Sequence, residues 1–345
     1  MEEYVCIEEK ELNEMIESKG KEWIKEKLYS MNISYPFAKY LHLDPITLFE
    51  YVRSTDLDIS KEEWETILPY KYENKFMGEY FRYWIENNHY YLGNVITDIF
   101  SENIRLKCRV KKRNHIYPSP LDAWKNKDIF FSVLDHCIEK YRCISAYSLR
   151  HTLYNTKLIK ECNLYKVMVV RNLISMMKAK SVLDLSTGWG DRLIGALAAD
   201  VNVYHGCDPN PELQESYRNI IKTFGKGKDV SIEMKTMEEY KPPHKKYDIF
   251  HSSPPFWSKE VYIGTRIESS PKEWVNSFLI PYVDKGYSYV RPGGIFSIYI
   301  DDIPEARYCD RMNDHMKSKG AKYLGVIGVG HFCIWMWKKP STCRV

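Results

Sequence analysis

The sequence predicts an α/β protein in which the second half of the chain builds a mainly parallel sheet, preceded by a mostly helical N-terminal region. Two observations support this fold class. From residue 180 onward, short apolar runs typical of buried strands alternate with segments of helical periodicity. A glycine-containing turn, "STGWG" at 186–190, follows the first of these runs. Such alternation implies parallel strands whose crossover helices cover both faces of the sheet.

The strands of the second half are predicted in order along the chain. Apolar runs predict strands at 181–185, 203–208, 230–234, 247–252 and 294–300, and "YLGVIGV" with "FCIWMWK" predicts a closing hairpin. Amphipathic segments between the strands predict the connecting helices. The longest helix covers 271–290 and is expected to kink at Pro281, because proline removes a helical hydrogen bond.

Two domains are predicted, with a boundary between residues 165 and 166. A chain of 345 residues is long enough for both. Residues 1–165 are expected to be mostly helical, since apolar residues recur at helical spacing near the start and the aromatic-rich stretch 60–100 has a similar pattern. Residues 166–345 contain the strand–helix alternation and form the second domain.

Bulk properties exclude several classes of protein. No apolar run approaches the length of a membrane span, and the acidic start lacks the basic-then-apolar order of a signal peptide. Nine cysteines, an odd number, suit a reducing compartment. We therefore expect an intracellular protein, cytoplasmic or nuclear and not secreted, with no membrane partner.

No metal site is predicted. His136, Cys137, Cys143 and His151 are close together in the sequence, but their spacing matches no standard zinc pattern. Ordinary buried thiols account for these cysteines.

One stretch of the first half is strongly basic, although the net charge of the whole chain is only +4. Apolar and basic residues alternate from Ile104 to Lys111, which predicts a strand with one basic face near 104–113. Positive charge on one face can follow a phosphate backbone without reading sequence. An exposed edge strand guarded by charge against aggregation explains the pattern equally well. The predicted nucleic-acid-binding residues are Arg105, Lys107, Arg109, Lys111, Lys112 and Arg113.

The glycine turn after the first strand indicates a nucleotide-type cofactor. Gly188 and Gly190 allow a tight turn and a close approach to a ligand, and the following helix offers its N-terminal N–H groups. Asp184 precedes the turn, where a carboxylate can face a cationic ligand. Asp208 ends the second strand and can accept hydrogen bonds from ribose hydroxyls. Alternatively, Asp184 caps the turn and Asp208, followed by Pro209, begins a helix.

A second candidate site is the stretch "HSSPPFW" at 251–257, at the end of the fourth strand. The carboxyl ends of strands in an open parallel sheet meet at one edge, so Ser253 is expected near the glycine turn. A serine hydroxyl and nearby carbonyls can accept hydrogen bonds from an exocyclic amine, while Phe256 stacks on the ring that carries it. Alternatively, the loop is merely rigid and packs Phe256 and Trp257 into the core. His251 is assigned no catalytic role.

Together, "DLSTGWGDR", "CDPN" and "SSPPFW" resemble the S-adenosylmethionine-dependent amino-methyltransferases of nucleic acids, and they are similar to viral and phage members. That family is the N6-adenine and N4-cytosine type with a [DNS]-P-P-[YFW] motif. The resemblance covers about residues 180–340 and implies a Rossmann-like, seven-stranded, mainly parallel methyltransferase sheet. It implies S-adenosyl-L-methionine as cofactor, bound by Asp184, Ser186, Thr187, Gly188, Trp189, Gly190, Arg192, Asp208 and Pro209. It also implies a catalytic role for Ser253, Pro254, Pro255 and Phe256.

The activity that the resemblance implies is methyl transfer to the exocyclic amine of a nucleic-acid base. Adenine N6 in DNA is the first expectation, and adenine N6 in RNA or cytosine N4 in DNA is the alternative. A catalytically inactive binding subunit and a small-molecule methyltransferase are the other interpretations. Enzymes with this order of motifs usually carry a recognition domain after the catalytic one, whereas this chain ends soon after its last predicted strand. A recognition element is therefore expected in residues 1–170, and no oligomeric state is predicted.

Overall fold

The computed structural model describes residues 4–57, 59–61, 81–85, 91–112, 115–156, 158–257, 260–261, 270–303, 306–329 and 332–341. They divide into two compact units. Unit 1 comprises Met1–Pro45, Asp98–Asn163 and Glu260–Tyr262, and unit 2 comprises Ile46–Thr97, Leu164–Lys259 and Ile263–Val345. Residues 46–97, which the sequence assigns to the N-terminal domain, therefore group with the large sheet, to which they contribute strands.

The elements follow one another along both units. The helices are α1 Glu9–Lys19, α2 Lys21–Ser30, α3 Pro45–Ser54, α4 Asn94–Arg105, α5 Pro120–Trp124, α6 Lys127–His136, α7 Ala146–Thr156, α8 Val167–Met177, α9 Asp191–Ala198, α10 Gln214–Phe224, α11 Pro271–Trp274, α12 Ile280–Tyr289 and α13 Cys309–Ser318. The strands are β1 Ile59–Lys61, β2 Phe81–Ile85, β3 Arg109–Lys112, β4 His115–Ile116, β5 Ser181–Asp184, β6 Val203–Cys207, β7 Asp229–Glu233, β8 Tyr247–Ser252, β9 Glu260–Val261, β10 Val290–Tyr299, β11 Lys322–Val329 and β12 Phe332–Lys338. Among these helices, none is both long and apolar enough to cross a membrane.

Unit 1 has a helical core. Leu12 of α1, Ile24 of α2, Val133 of α6 and Leu149 of α7 are all buried in one apolar cluster. Asn126 caps α6, because its side chain accepts an N–H from the first turn of that helix. The expected helical N-terminal region is thus present in the part of unit 1 that the structure describes.

Unit 1 also contains a buried ionic cluster. Arg105 pairs with Asp98 at 2.7 Å and with Glu161 at 2.5 Å. Arg150 pairs with Asp98 at 2.6 Å and also with Glu102. Burial raises the pKa of Glu102 to about 7, and the nearby Asp98 carboxylate adds to this effect. The opposite charges compensate one another, so the loss of one member leaves a charge buried without its partner.

The predicted basic strand at 104–113 is only partly a strand. Helix α4 continues to Arg105, and β3 begins at Arg109. Ile96 and Ile104 are eight residues apart, or about two helical turns, and both are buried, so the apolar face of the helix extends into the predicted strand. The prediction was wrong for 104–108, because the alternation counted from Ile104 began in the last turn of a helix.

Unit 2 is organised around a nine-stranded sheet with the order β1-β2-β11-β12-β10-β8-β5-β6-β7. Strands β10, β8, β5, β6 and β7 run parallel, and β12 lies antiparallel between β10 and β11. The seven strands from β11 to β7 confirm the predicted Rossmann-like methyltransferase sheet. Strands β1 and β2 extend it at one edge and were not predicted, since the stretch 60–100 was expected to be mainly helical.

The register of the central strands determines which residues share one end of the sheet. Leu183 of β5 pairs with Phe250 of β8, and Asp184 pairs with Gly206 of β6. The chain leaves β5, β6 and β8 only one or two residues beyond these pairs. The loops after the three strands therefore emerge together at the carboxyl edge of the sheet.

The predicted long helix at 271–290 is interrupted. A π-helical turn, Val275–Leu279, separates α11 from α12. Pro281 lies in the first turn of α12, where its missing N–H cannot serve the preceding turn. The irregularity that was expected at Pro281 thus takes the form of a wider turn before it.

Candidate active site

The turn between β5 and α9 has the glycine geometry that the sequence predicts. Gly188 has φ +64° and Gly190 has φ +102°, both in the left-handed region that favours glycine. A Cβ atom on Gly190 would lie 2.7 Å from Cδ1 of Ile220, so any other residue here would also displace the end of that side chain. Because Gly188 and Gly190 have no side chains, a ligand can approach the backbone of the turn at these two residues.

Asp208 ties this turn to the end of β6. Its Oδ2 accepts the N–H of Gly188 at 2.9 Å, and its Oδ1 accepts the N–H of Asn210 at 3.0 Å. Burial raises the pKa of Asp208 to about 6, while the two backbone hydrogen bonds oppose this by favouring the charged form. Each carboxylate oxygen keeps a further acceptor position. Asp208 can therefore accept a hydrogen bond from a ligand hydroxyl while it holds the turn.

Asp184 is the centre of a buried hydrogen-bond network. Its Oδ2 accepts from Nε of Arg192 at 2.8 Å and from the Tyr204 hydroxyl at 2.7 Å. Its Oδ1 accepts from the N–H of Ser186 at 3.0 Å and from the Ser252 hydroxyl at 2.5 Å. A carboxylate offers about four acceptor positions, and four donors fill them here. The expectation that Asp184 faces a cationic ligand is therefore corrected, since its carboxylate is fully buried and holds neighbouring elements instead.

Arg192 has an equally internal position. Its guanidinium pairs with Asp184 and lies over the ring of Tyr165, 5.1 Å from the ring centroid. The side chain is only 6% exposed. Its charge is compensated inside the protein, which favours a supporting role, and the direct contact of Arg192 with the cofactor stays a prediction.

The other predicted cofactor residues lie around the turn. The Ser186 hydroxyl oxygen accepts from the hydroxyl of Tyr282 at 3.0 Å. Thr187 is buried, and its N–H donates to a carbonyl of β6 at 2.9 Å, which joins the turn to that strand. Trp189 is buried, whereas Pro209 is exposed beyond the end of β6.

Strand β8 ends at Ser252, so this residue rather than Ser253 enters the buried network. The Ser252 hydroxyl contacts the hydroxyl of Tyr282 as well as Asp184. Both Ser252 and Tyr282 were missed from the sequence. The strand period contained a signal for Ser252, because it shares the sheet face of the buried Phe250 two residues earlier. Tyr282 lies 30 residues further along the chain, and only the fold brings it to the site.

Residues 253–256, here called the SPPF loop, follow directly. Pro254 is buried, and Ser253, Pro255 and Phe256 are half-buried. Phe256 packs against the main apolar core of unit 2, and its ring lies near that of Tyr299, with centroids 6.3 Å apart and planes at 30°. The packing interpretation is thus partly right, while Phe256 still presents part of its surface at the carboxyl edge of the sheet.

A chain of hydrogen bonds orients Tyr165 beside the SPPF loop. Ser297 donates its hydroxyl to the Phe250 carbonyl at 3.0 Å, so it accepts from Nδ1 of His251, which lies 2.9 Å away. Burial lowers the pKa of His251 to about 3, so its ring is neutral near pH 7. Nε2 then accepts the Tyr165 hydroxyl at 3.1 Å. His251 is therefore a positioning residue.

The rings of Tyr165, Tyr299 and Phe256 lie next to one another beside the SPPF loop. Tyr165 packs edge-on against Tyr299 at 4.9 Å, and Tyr299 in turn lies near Phe256. None of these contacts was predicted, because Tyr165 and Tyr299 belong to a loop and to the end of β10. The three rings form an apolar, π-rich surface that suits a flat ligand.

The predicted nucleic-acid-binding residues of unit 1 differ in their exposure to solvent. Lys107 and Arg109 are exposed and Lys111 is half-buried, while Arg105 is buried in the ionic cluster and cannot contact phosphate. The prediction for Arg105 is therefore corrected. The side chain of Lys112 and the whole of Arg113 lie outside the described residues.

Strand β3 is not the edge strand that the alternative interpretation requires. It pairs antiparallel with β4 through Lys111 and Lys112, and with β9 through Arg109 and Val110. It is the middle strand of a three-stranded sheet. Protection of an open edge therefore does not account for its basic residues.

Among known proteins, only solved structures are similar to this chain. No protein-family model matches the sequence. No curated protein matches it either.

Three methyltransferase structures illustrate the likeness. A methyltransferase from Pyrococcus furiosus is 14% identical, with a TM-score of 0.38, and the match covers 51% of this chain and 84% of that one. A tRNA methyltransferase from Aquifex aeolicus is 13% identical, with a TM-score of 0.38 over 53% and 73% of the two chains. A ribosomal-protein methylase from Lactobacillus delbrueckii subsp. bulgaricus is 11% identical, with a TM-score of 0.37 over 50% and 77%. At this level of similarity the structures say nothing of substrate, which must be inferred from the site itself.

Proposed function

We propose that this protein transfers a methyl group from S-adenosylmethionine to an exocyclic amine of a nucleic-acid base, with adenine N6 in DNA as the first candidate. The observation that carries the proposal is the hydrogen bond between Ser252 and Asp184, at 2.5 Å. It holds the end of β8, and hence the SPPF loop, against the end of β5, which leads into the glycine turn. In this proposal, the hydrogen bond brings the cofactor-binding turn and the methyl-acceptor loop into one site.

The residues around the turn fit S-adenosylmethionine. The backbone at Gly188 and Gly190 allows close approach, and Asp208 retains acceptor positions for the two ribose hydroxyls. Ser186, Thr187 and Trp189 belong to this turn, and Pro209 follows Asp208 in the sequence. When bound, the cofactor supplies an electrophilic sulfonium methyl group. Asp184 and Arg192 act indirectly, since they hold the turn and Tyr165 in place.

The SPPF loop would position the acceptor amine. The Ser253 hydroxyl and the Pro254 carbonyl can accept the two N–H bonds of an exocyclic amine, which directs its lone pair away from the ring plane. Such a transfer depends on position more than on a strong base. Phe256 would stack on the base, which must be flipped out of a duplex or already unpaired. Tyr165 and Tyr299 extend this stacking surface.

Phosphate contacts are proposed for unit 1. Lys107 and Arg109 are exposed and Lys111 is half-buried, so all three can meet a phosphate backbone without reading sequence. Lys112 and Arg113 are part of the same proposal. DNA is the first candidate for the bound nucleic acid, and RNA is the alternative.

Labelled methyl transfer tests the proposal. Purified protein is incubated with S-adenosylmethionine labelled on its methyl group and with matched single- and double-stranded DNA and RNA. We expect label on DNA, and calorimetric binding of the cofactor that Asp208→Ala weakens at least tenfold. Asp314→Ala, which removes an exposed acid of α13, is the matched control and should bind normally. Binding without transfer to any nucleic acid would support the inactive binding subunit, and transfer to RNA alone would overturn the DNA assignment.

A further inference from the structure

A cluster of potential metal ligands lies in unit 2 away from the glycine turn. His205 belongs to β6, Asp229 is the first residue of β7, and His244 lies in the segment before β8. Nε2 of His205 is 3.1 Å from Oδ1 of Asp229, and Nε2 of His244 is 3.1 Å from Oδ2 of the same carboxylate. The ligand atoms of the three residues all lie within 4.8 Å of one another.

The sheet register explains why His205 and Asp229 meet. Val203 of β6 pairs with Asp229, and His205 follows two residues later on the same face. His244 precedes β8 and Asp229 opens β7, so the cluster lies toward the amino ends of these strands. The SPPF loop and Asp208 follow the carboxyl ends of β8 and β6 instead. The cluster is therefore separate from the candidate active site.

His205 is held as metal-binding histidines are. Its Nδ1 lies 2.7 Å from the hydroxyl of Tyr247, which also accepts the backbone N–H of His244 at 3.2 Å. Such a bond at one nitrogen fixes the ring and directs the other nitrogen toward a ligand. Tyr247 thus links the two histidines of the cluster.

The second nitrogen of His205 is buried without a well-directed hydrogen bond. Within the described part of the chain, no group bonds Nε2 in acceptable geometry, although the Asp229 carboxylate is close. The residue itself is only 1% exposed. In contrast, both ring nitrogens of the buried His251 have partners. A bound cation would satisfy this buried nitrogen together with the Asp229 carboxylate, which a second imidazole also approaches.

We propose that His205, Asp229 and His244 bind a zinc-type divalent metal ion. Two imidazole nitrogens and one carboxylate are a common zinc ligand set, with bonds of about 2.0–2.2 Å and a fourth position for water. Tetrahedral ligands at such bond lengths are ~3.3 Å apart. Each imidazole nitrogen lies 3.1 Å from an oxygen of Asp229, His205 from Oδ1 and His244 from Oδ2, so one imidazole must move toward the oxygen that binds the ion. Asp229 and His244 are exposed, so an ion can enter from solvent, and His244 can shift to complete the site.

The expected role is structural. The ion would connect β6 and β7 with the segment that leads into β8, at the side of the sheet where β7 is the edge strand. A bound ligand that does not bind the unfolded chain raises stability by mass action. This inference does not depend on the proposed methyl transfer.

Metal titration of chelator-treated, tag-free protein tests the proposal. Zn²⁺ affinity is measured by competition with a chromophoric chelator, together with the melting temperature. We expect one site per chain, a higher melting temperature with Zn²⁺, and at least a tenfold loss of affinity in His244→Ala and in Asp229→Asn. His115→Ala removes an exposed histidine of β4 and is the matched control, with unchanged affinity.

Free thiols are the main competitor, since Cys6 is exposed and unbridged. Co²⁺ distinguishes the two ligand types by its absorption, because thiolates give strong charge-transfer bands and nitrogen–oxygen sets give weak visible bands. Weak visible bands that disappear in His244→Ala support the site. Equal Zn²⁺ affinity in wild type and His244→Ala, or thiolate bands in both, would overturn it.

Discussion

The hydroxyl of Ser252 lies 2.5 Å from the carboxylate of Asp184, and this bond joins the last residue of β8 to the last residue of β5. Asp184 also accepts from Arg192, Tyr204 and the backbone of Ser186. The two loops of the candidate active site therefore share one buried anchor, and of the residues named here only Tyr204 lies outside the motifs that carry the resemblance.

Removal of the Ser252 hydroxyl should destabilise unit 2. In Ser252→Ala, the buried Asp184 carboxylate and the Tyr282 hydroxyl each lose a partner. A buried polar group without its partner costs about 1–3 kcal/mol. Urea unfolding measures this loss. Ser318→Ala, on the exposed end of α13, should change the free energy of unfolding by less than about 0.5 kcal/mol. Identical urea midpoints for Ser252→Ala and wild type would show that the hydrogen bond between Ser252 and Asp184 does not stabilise unit 2.

Cofactor affinity should depend on pH through Asp208. Its pKa in the free protein is about 6, raised by burial. Ribose hydroxyls that donate to Asp208 favour the charged carboxylate, so binding should weaken as pH falls below about 6 and reach a plateau above it. Calorimetry from pH 5 to 8 measures this. Asp208→Asn should bind more weakly and without the dependence, and a wild-type affinity that is flat across this range would contradict the role of Asp208.

His251 should not titrate in the folded protein near neutral pH. Its pKa is lowered to about 3 by burial, whereas an unfolded histidine titrates near its ordinary value of about 6.5. The unfolded chain therefore binds a proton that the folded chain does not, and this group reduces stability progressively as pH falls below about 6.5. NMR of the His251 imidazole measures the titration. A shift of the His251 resonance between pH 5 and 8 would contradict the buried hydrogen-bond chain.

Phe256 should contribute to turnover more than to stability. Stacking of an aromatic ring on a base contributes about 1–3 kcal/mol, so Phe256→Ala should reduce kcat/KM roughly 5- to 150-fold. Phe256→Tyr should retain most of the activity. The control is Tyr289→Ala, because Tyr289 packs on the same core but precedes β10 at the opposite end of that strand from Tyr299. Equal losses in both alanine variants would indicate a packing role for Phe256.

Arg105 and Arg109 should respond differently to substitution. Arg109→Ala removes an exposed charge, so DNA affinity should fall and the salt dependence should decrease by about one phosphate contact, without unfolding. Arg105→Ala breaks the buried ionic cluster and should cost about 3–5 kcal/mol of stability. Filter binding at several salt concentrations and urea unfolding separate the two effects. Lys19→Ala is an exposed control in unit 1. Unchanged DNA binding by Arg109→Ala would contradict the proposed phosphate contact.

The sequence predicts the sheet better than the site. Strands β5, β6 and β8 are largely buried, and their apolar residues placed them within a residue or two of their predicted bounds. Strand β7 also lies within one residue of its predicted bounds, although none of its residues is buried. Periodicity failed at 104–108, where the last turn of a helix has the alternation of a strand. Ser252 was passed over for Ser253, although its position two residues after Phe250 places both side chains on one face of the sheet.

Contacts between residues that are far apart in the sequence were the hardest to predict. Tyr165 and His251 are 86 residues apart, and their hydrogen bond depends on the fold of the whole of unit 2. The cluster of His205, Asp229 and His244 has no motif spacing, and it arises from the pairing of β6 with β7. The prediction of no metal site considered only cysteine- and histidine-rich spacing, which such a cluster does not have.

The most direct test of the account identifies the methylated atom. Nucleosides from DNA treated with the protein and methyl-labelled S-adenosylmethionine are separated and their mass spectra compared. We expect N6-methyldeoxyadenosine with wild type and with Tyr289→Ala, and a large reduction with Ser253→Ala and Phe256→Ala. Label on a ring carbon, on protein or on a metabolite, or equal labelling by the two SPPF-loop variants and wild type, would contradict it.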